Sequence, residues 1–198
     1  CTAGDLYIPI EQLKKIRELC TKNNICLIYD EIQTGMGVTG NMWYSEKIQI
    51  KPDILVFGKK AQVSGIVVVE EYSECITSSI QRLEVTYDGD LIDAVRSMYV
   101  LKAYEEENLL ENVEEKHTFF RNLFEEKVLN YRSSGLLIAF DFETKGKRDL
   151  FTKTCFDNKL ICNGTGERAV RIRPNLAITQ SEMELAEKIV LRVFKKIQ

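Results

Sequence analysis

One apolar run that stops on two carboxylates constrains this chain more than any other feature. In "CLIYDEIQTGMGVTG", Cys26 to Tyr29 lead straight into Asp30 and Glu31, and the chain then breaks at Gly35, Gly37 and Gly40. The preceding "IPIEQLKKIRELCTKN" places Ile10, Leu13, Ile16 and Leu19 or Cys20 at helical spacing. A helix followed by a strand apolar on both faces is the grammar of an α/β fold, so "ICLIYD" is expected as a strand buried on both faces. "PDILVFGKK", entered from Pro52 and left through Gly58, is a second such strand, and "SGIVVVEEY" a third.

From Leu91 the pattern changes. "LIDAVRSMYVLKAYEEENLLENVEEKHTFFRNLFEEKVL" is nearly continuous helix with a break near Glu107, carrying Ile92, Val95, Tyr99, Leu109, Val113, Phe120 and Phe124 as apolar positions. After Ser133, "GLLIAFDFE" and "AVRIRP" read as strands around a helical "RDLFTKTCFDNK". The chain closes on "TQSEMELAEKIVLRVFKKI", where Thr179 and Glu182 have capping-box spacing and Leu185, Ile189, Val193 and Ile197 share a face. The expectation is two regions, α/β over residues 1–90 and α+β over 91–198, the second beginning with a long connecting helix.

Several function classes are excluded on composition. A net charge of −3, with basic and acidic residues interspersed, leaves no basic stripe for nucleic acid. The longest apolar runs are strand-sized, well short of the roughly 18 residues of a membrane span. Six cysteines are scattered without a C-x-x-C pair, and one histidine is available to complete a metal set, so free thiols in a reducing compartment are expected and no metal site.

A carboxylate at a strand end needs a partner, and three are open for Asp30: a metal ion, an arginine, or a protonated base. A metal would fit a Walker B strand, but that reading needs a G-x-x-x-x-G-K-[ST] loop, and "GTGERA" lacks the lysine and the spacing. A protonated cofactor nitrogen requires in addition a lysine on a neighbouring strand end, and "FGKK" supplies one.

The blocks "YDEIQTGMGVTG" and "KPDILVFGKKAQVSG" resemble the core of class III, fold type I aminotransferases, and among them the lysine 6-aminotransferases. The resemblance covers essentially the whole chain, more weakly after Lys59, and the interval from Asp30 to Lys59 is the one that family uses between its ring aspartate and its lysine. It implies the cofactor pyridoxal 5'-phosphate, a mainly parallel cofactor-binding large domain continuing into a small α+β domain, and transfer of an amino group from an amino acid or terminal amine, foremost the lysine 6-amino group, to 2-oxoglutarate. By the same resemblance Lys59 and Asp30 are catalytic and hold the cofactor, with Gln33 on its 3-hydroxyl oxygen. Thr86, in "RLEVTYDGDLIDAVR", reaches the cofactor phosphate of the other subunit of a homodimer, and Arg171, in "AVRIRPNL", binds a substrate carboxylate. Lys60 is the adjacent alternative to Lys59, and Arg173 the alternative to Arg171.

Two departures from the family pattern stand out. The family has a Gly-Glu-Gly-Gly segment before the first strand, whose glutamate pairs with the carboxylate-binding arginine; here "CTAGD" puts Thr2 in its place. Members also carry about two hundred residues before this point, including the phosphate-binding cup. The chain therefore reads as a C-terminal portion, with a truncated, catalytically incompetent copy in a structural or dimerisation role as the alternative. A cytoplasmic location is expected, a mitochondrial one remaining open because a targeting segment would precede Cys1.

Overall fold

The computed structural model describes residues 1–78, 86 and 88–197, and these fall into two compact units. One unit comprises Ile8–Gly37 and Asn41–Asn108; the other comprises Cys1–Tyr7, Val38–Gly40 and Leu109–Gln198.

In the first unit, helix α1 (Ile10–Lys22) starts directly after Pro9, where a proline's fixed φ suits a helix entry. Strand β1 (Ile28–Asp30) follows, then a short helix α2 (Tyr44–Ile48), strand β2 (Ile54–Phe57), a 3-10 turn at Lys59–Ala61, strand β3 (Gly65–Val68), and helices α3 (Glu70–Thr77) and α4 (Leu91–Glu106). The sheet order is β1-β2-β3, with β1 parallel to β2 and β3 antiparallel to β2. The sheet is therefore mixed rather than mainly parallel among the described residues.

Asp53 organises the start of both parallel strands. Its Oδ2 accepts the Leu27 backbone N–H at 2.7 Å and the Arg17 guanidinium at 2.8 Å, joining α1, the entry to β1 and the entry to β2. Burial opposes the charge, but the Leu27 amide and Arg17 together hold the Asp53 carboxyl below the usual carboxylate range.

The expectation that "ICLIYD" is buried on both faces is not met. Ile25 and Ile28 are more than half exposed, and Ile10, Ile16 and Leu19 of α1 are exposed as well. A strand reads as fully buried only when both faces carry packed layers and both edges are paired. Here β1 has one hydrogen-bonded neighbour among the described residues and α1 buries only Cys20. The long helical stretch does break where expected: α4 ends at Glu107, whose N–H bonds Ala103 O at 3.0 Å, and Asn108 turns the chain with φ +48. Asp90 caps its start, with Oδ1 accepting the N–H groups of Ile92 and Asp93.

The second unit contains α5 (Val113–Phe124), β4 (Leu129–Ser134), β5 (Leu137–Asp141), α6 (Lys145–Asp157), β6 (Asn163–Thr165), β7 (Ala169–Ile172) and α7 (Gln180–Ile197). Its four-stranded sheet has the order β4-β5-β7-β6 and every pairing is antiparallel. Ile138, Phe140 and Val170 are completely buried on one sheet face. Phe140 stacks on Phe124 at 4.9 Å between ring centroids and meets Phe151 edge-on at 5.9 Å, and Phe151 contacts Phe194 at 5.3 Å, so α5, α6 and α7 share one aromatic core with β5. The capping box of α7 is present: Glu182 Oε2 accepts the Thr179 N–H at 2.8 Å and Thr179 Oγ1 accepts the Glu182 N–H at 3.3 Å. Its buried face runs through Met183, Val190, Val193 and Phe194, one residue round from the expected stripe, and leaves Leu185 exposed.

The β4–β5 hairpin turns at Gly135 with φ +57, and Leu136 N–H donates to Val38 O at 2.8 Å. A Cβ at position 135 would lie 2.7 Å from Thr39 Cα, so both conformation and space demand glycine. Gly146, in the first turn of α6, has nothing closer than 3.8 Å to such a Cβ. Opposite signs are expected in urea unfolding: Gly135→Ala lowers stability by more than about 1 kcal/mol, and Gly146→Ala raises it by up to about 1 kcal/mol.

Candidate functional site

The parallel pairing of β1 with β2 sets the site, because it brings the carboxyl ends of two strands level. Asp30 pairs with Val56, the Glu31 N–H continues the ladder to Val56 O at 2.9 Å, and β2 then runs through Phe57 and Gly58 into Lys59. Carboxyl ends of parallel strands are where α/β sheets hold ligands. Asp30 is exposed there; Oδ1 accepts the Ile32 N–H at 3.0 Å, which orients the carboxylate and leaves Oδ2 without a partner among the described residues.

Lys59 and Lys60 are distinguished by their surroundings. Lys60 Nζ donates to Gln33 O at 2.8 Å, tying the loop after β2 to the loop after β1 and holding Gln33 half-buried beside Asp30's strand end. The Lys59 ammonium is exposed and has no hydrogen bond or ion pair among the described residues. Its backbone has φ +49, a left-handed conformation that a lysine rarely adopts, and its carbonyl is held by the Gln62 N–H at 2.9 Å and the Gln62 side-chain amide at 3.0 Å. Gly58 precedes it in extended backbone, and a Cβ there would stand 2.8 Å from Ser64 Oγ, a contact that rotation of the serine hydroxyl can relieve. A lysine with an unengaged amine at the end of one strand and a carboxylate at the end of the next is an arrangement a carbonyl-bearing cofactor with a basic ring nitrogen would fit.

Of the two adjacent acids at the end of β1, Glu31 is the buried one, and the sequence alone assigned it no role. Only 3% exposed, its carboxylate accepts the backbone N–H groups of Tyr44 and Ser45 at 2.5 and 2.8 Å and the Thr34 hydroxyl at 3.2 Å. Helix α2 has Trp43 at its cap position, which offers no oxygen, so the orphan N–H groups of its first turn are satisfied from Glu31, thirteen residues earlier. A tryptophan where a Ser, Thr, Asp or Asn is preferred is the signal that a remote acceptor is required. The two acids are expected to separate cleanly in thermal and urea unfolding. Glu31→Gln loses an acceptor and a charge facing two buried donors and destabilises by about 1–3 kcal/mol, whereas Asp30→Asn stays within about 0.5 kcal/mol of the parent.

The remaining sequence-predicted residues lie elsewhere. Arg171 belongs to the other unit, on β7, where it is half-buried, pairs in register with Ala139 of β5 and Asn163 of β6, and makes no hydrogen bond or ion pair among the described residues. Arg173, its alternative, is fully engaged: Nη2 meets Asp5 Oδ1 at 2.6 Å and Nη1 donates to the carbonyls of Ile138 and Ile172 at 3.0 and 2.9 Å. Thr2 is exposed and its carbonyl accepts the Thr165 hydroxyl. Thr86 is exposed in a turn, and most of the segment "RLEVTYDG" around it lies outside the described residues. No group of three His, Cys, Asp or Glu side chains suited to a metal ion occurs among the described residues, and none of their helices is long and apolar enough to cross a membrane.

Known proteins match this arrangement along the whole chain. Residues 1–194 match the family described as aminotransferase class-III. The L-lysine-epsilon aminotransferase of Mycobacterium tuberculosis is 33% identical over 193 residues, which is 92% of this chain and 43% of that protein, and the acetylornithine aminotransferase of Archaeoglobus fulgidus is 32% identical over 96% of this chain and 50% of its own length. The solved structure of lysine aminotransferase from M. tuberculosis in the internal aldimine form superposes with a TM-score of 0.94 at 31% identity, covering 100% of this chain and 48% of that one. The chain thus spans about half the length, or less, of the relatives it matches. It belongs to the class-III aminotransferase family.

Proposed function

We propose that this chain is part of a pyridoxal 5'-phosphate-dependent aminotransferase that moves an amino group from an amino acid or terminal amine, the lysine 6-amino group foremost, to 2-oxoglutarate. The observation that carries the reading is the placement of Asp30 and Lys59 at the carboxyl ends of adjacent parallel strands, one with an open carboxylate oxygen and the other with a free ammonium. Pyridoxal phosphate, when bound, supplies an electron sink for the substrate carbon. Asp30 would accept the proton-bearing ring nitrogen on Oδ2, keeping that nitrogen charged, while the Ile32 amide holds Oδ1 in place. Lys59 would bond to the cofactor aldehyde and, once released by the incoming amine, carry a proton on Nζ between neighbouring carbons. Gln33, its loop fixed by Lys60, would face the 3-hydroxyl oxygen. Arg171, half-buried and unpaired among the described residues, would hold a substrate carboxylate.

In this reading residues 1–90 form the C-terminal part of the large cofactor-binding domain, and residues 91–198 the connecting helix and small domain. A homodimer, with Thr86 serving the phosphate of the neighbouring active site, is supported by α4, where Leu91, Val95, Met98 and Tyr99 form a stripe of exposed apolar residues suited to a second copy. The free cysteines support a cytoplasmic location. The name of the lysine-epsilon aminotransferase of M. tuberculosis supports the lysine 6-amino group as donor.

The test is covalent. After incubation with pyridoxal phosphate, borohydride reduction and peptide mass spectrometry, a phosphopyridoxyl label is expected on Lys59 and absent from Lys59→Ala, and transamination in that variant falls by several orders of magnitude. Label confined to Lys60 would overturn the assignment of roles at this strand end. Absence of label and of amino transfer in the unaltered protein would favour the catalytically incompetent reading.

A further inference from the structure

The sheet of the second unit carries two arginines on one face, and a third lies just past the end of a central strand. Cross-strand partners share a face, so the row Arg132–Ala139–Arg171–Asn163 spans β4, β5, β7 and β6 on the side opposite the aromatic core, with Asp141, Ala169 and Thr165 in the adjacent row. Residues 1–5 lie against this face: a Cβ at Gly4 would stand 3.1 Å from Ala169 Cβ and 3.4 Å from Thr165 Cγ2. Arg132 is consumed by this packing, donating to Gly4 O at 2.5 Å, to Asn130 O at 2.7 Å and to Asp141 Oδ1 at 2.9 Å. Arg173 is consumed by Asp5 and two carbonyls, as described above. Arg171 alone of the three is uncommitted among the described residues.

Asp5 is built for this task. It is completely buried, sits at φ +52, and presents Oδ1 to Arg173 at 2.6 Å while Oδ2 is buried without a hydrogen-bond partner among the described residues. A buried carboxylate with one satisfied oxygen and a left-handed backbone is costly unless its single contact matters. Resting on the reading of Arg171 as the carboxylate site, we propose that Asp5 is a positioning and specificity residue: by engaging Arg173 it leaves Arg171 as the one guanidinium offered to a dicarboxylic keto acid. Two residues of strand span about 6.6 Å. Were Arg173 released, the two guanidinium groups would form a paired anchor at that spacing, and a diacid could bridge them instead of presenting one end to Arg171.

The distinguishing readout is therefore discrimination among diacids, which a merely structural role would not move. Calorimetric titration of the intact protein with 2-oxoglutarate, succinate, glutarate and adipate is expected to show the affinity ratios changing by at least about threefold in Asp5→Asn, and returning toward the parent ratios in Asp5→Asn combined with Arg173→Gln. Asp5→Glu, which keeps the charge and displaces the contact, is read in the same way if Asp5→Asn does not fold. Arg171→Ala is expected to lose about tenfold or more in affinity for 2-oxoglutarate. Unaltered diacid ratios in the Asp5 variants, with the Arg171→Ala loss present, overturn the role of Asp5 and leave the proposed function standing. Unaltered affinity in Arg171→Ala overturns the carboxylate site itself.

Discussion

The candidate site depends on one shared carboxylate oxygen. Asp53 Oδ2 holds the Leu27 amide and the Arg17 guanidinium together, and so fixes where β1 and β2 begin relative to one another. Register then does the rest: Ile28 pairs with Ile54, Tyr29 with Leu55 and Asp30 with Val56, so strands aligned at their starts end level. A slip of one residue would turn Asp30 to the opposite sheet face. Because the folded-state carboxyl of Asp53 is held below its unfolded value, its contribution to stability is present above the ordinary carboxylate range and is lost as pH falls through that lowered value. The alignment of the site is thus protected at neutral pH and given up in acid.

The two units solve the problem of apolar burial differently. In the unit of β4 to β7, Val113, Leu136, Ile138, Phe140, Phe151, Val170 and Val193 are all inaccessible, and three helices contribute to a single aromatic cluster. In the unit of β1 to β3, the apolar faces of α1 and α4 and the edge strand β1 stay open. The difference follows from layer number: the four-stranded sheet has three helices packed into its aromatic cluster, whereas α1 buries only Cys20.

Most elements were legible from the sequence because their signals are local. Helical spacing located α1, α5 and α7, and the Thr179–Glu182 box was readable as four letters. Burial was not legible to the same degree. Ile28 and Leu185 are as apolar as any core residue, and only the number of layers packed against each decides whether it is covered. The polar contacts that matter most join residues far apart in sequence: Glu31 with Ser45, Asp53 with Arg17, and Asp5 with Arg173. No period or spacing announces such pairs: the resemblance named Arg171 with Arg173 as its alternative, and the strand pattern alone does not contain the Asp5 contact that engages Arg173.

The choice between Lys59 and Lys60 has the same logic and shows what the neighbouring lysine is for. Adjacent side chains in a tight turn diverge, and here one is spent on the Gln33 carbonyl while the other is left free. The spent lysine ties the two loops that follow β1 and β2. The left-handed backbone at Lys59 is the cost of that arrangement, of order 1 kcal/mol or more, and it is sustained by the double hold of Gln62 on the Lys59 carbonyl. A left-handed backbone alone does not single out a lysine, since the exposed Lys159 shares it at φ +69; the clamped carbonyl and the free amine at the end of β2 are what support the proposed role of Lys59 over Lys60.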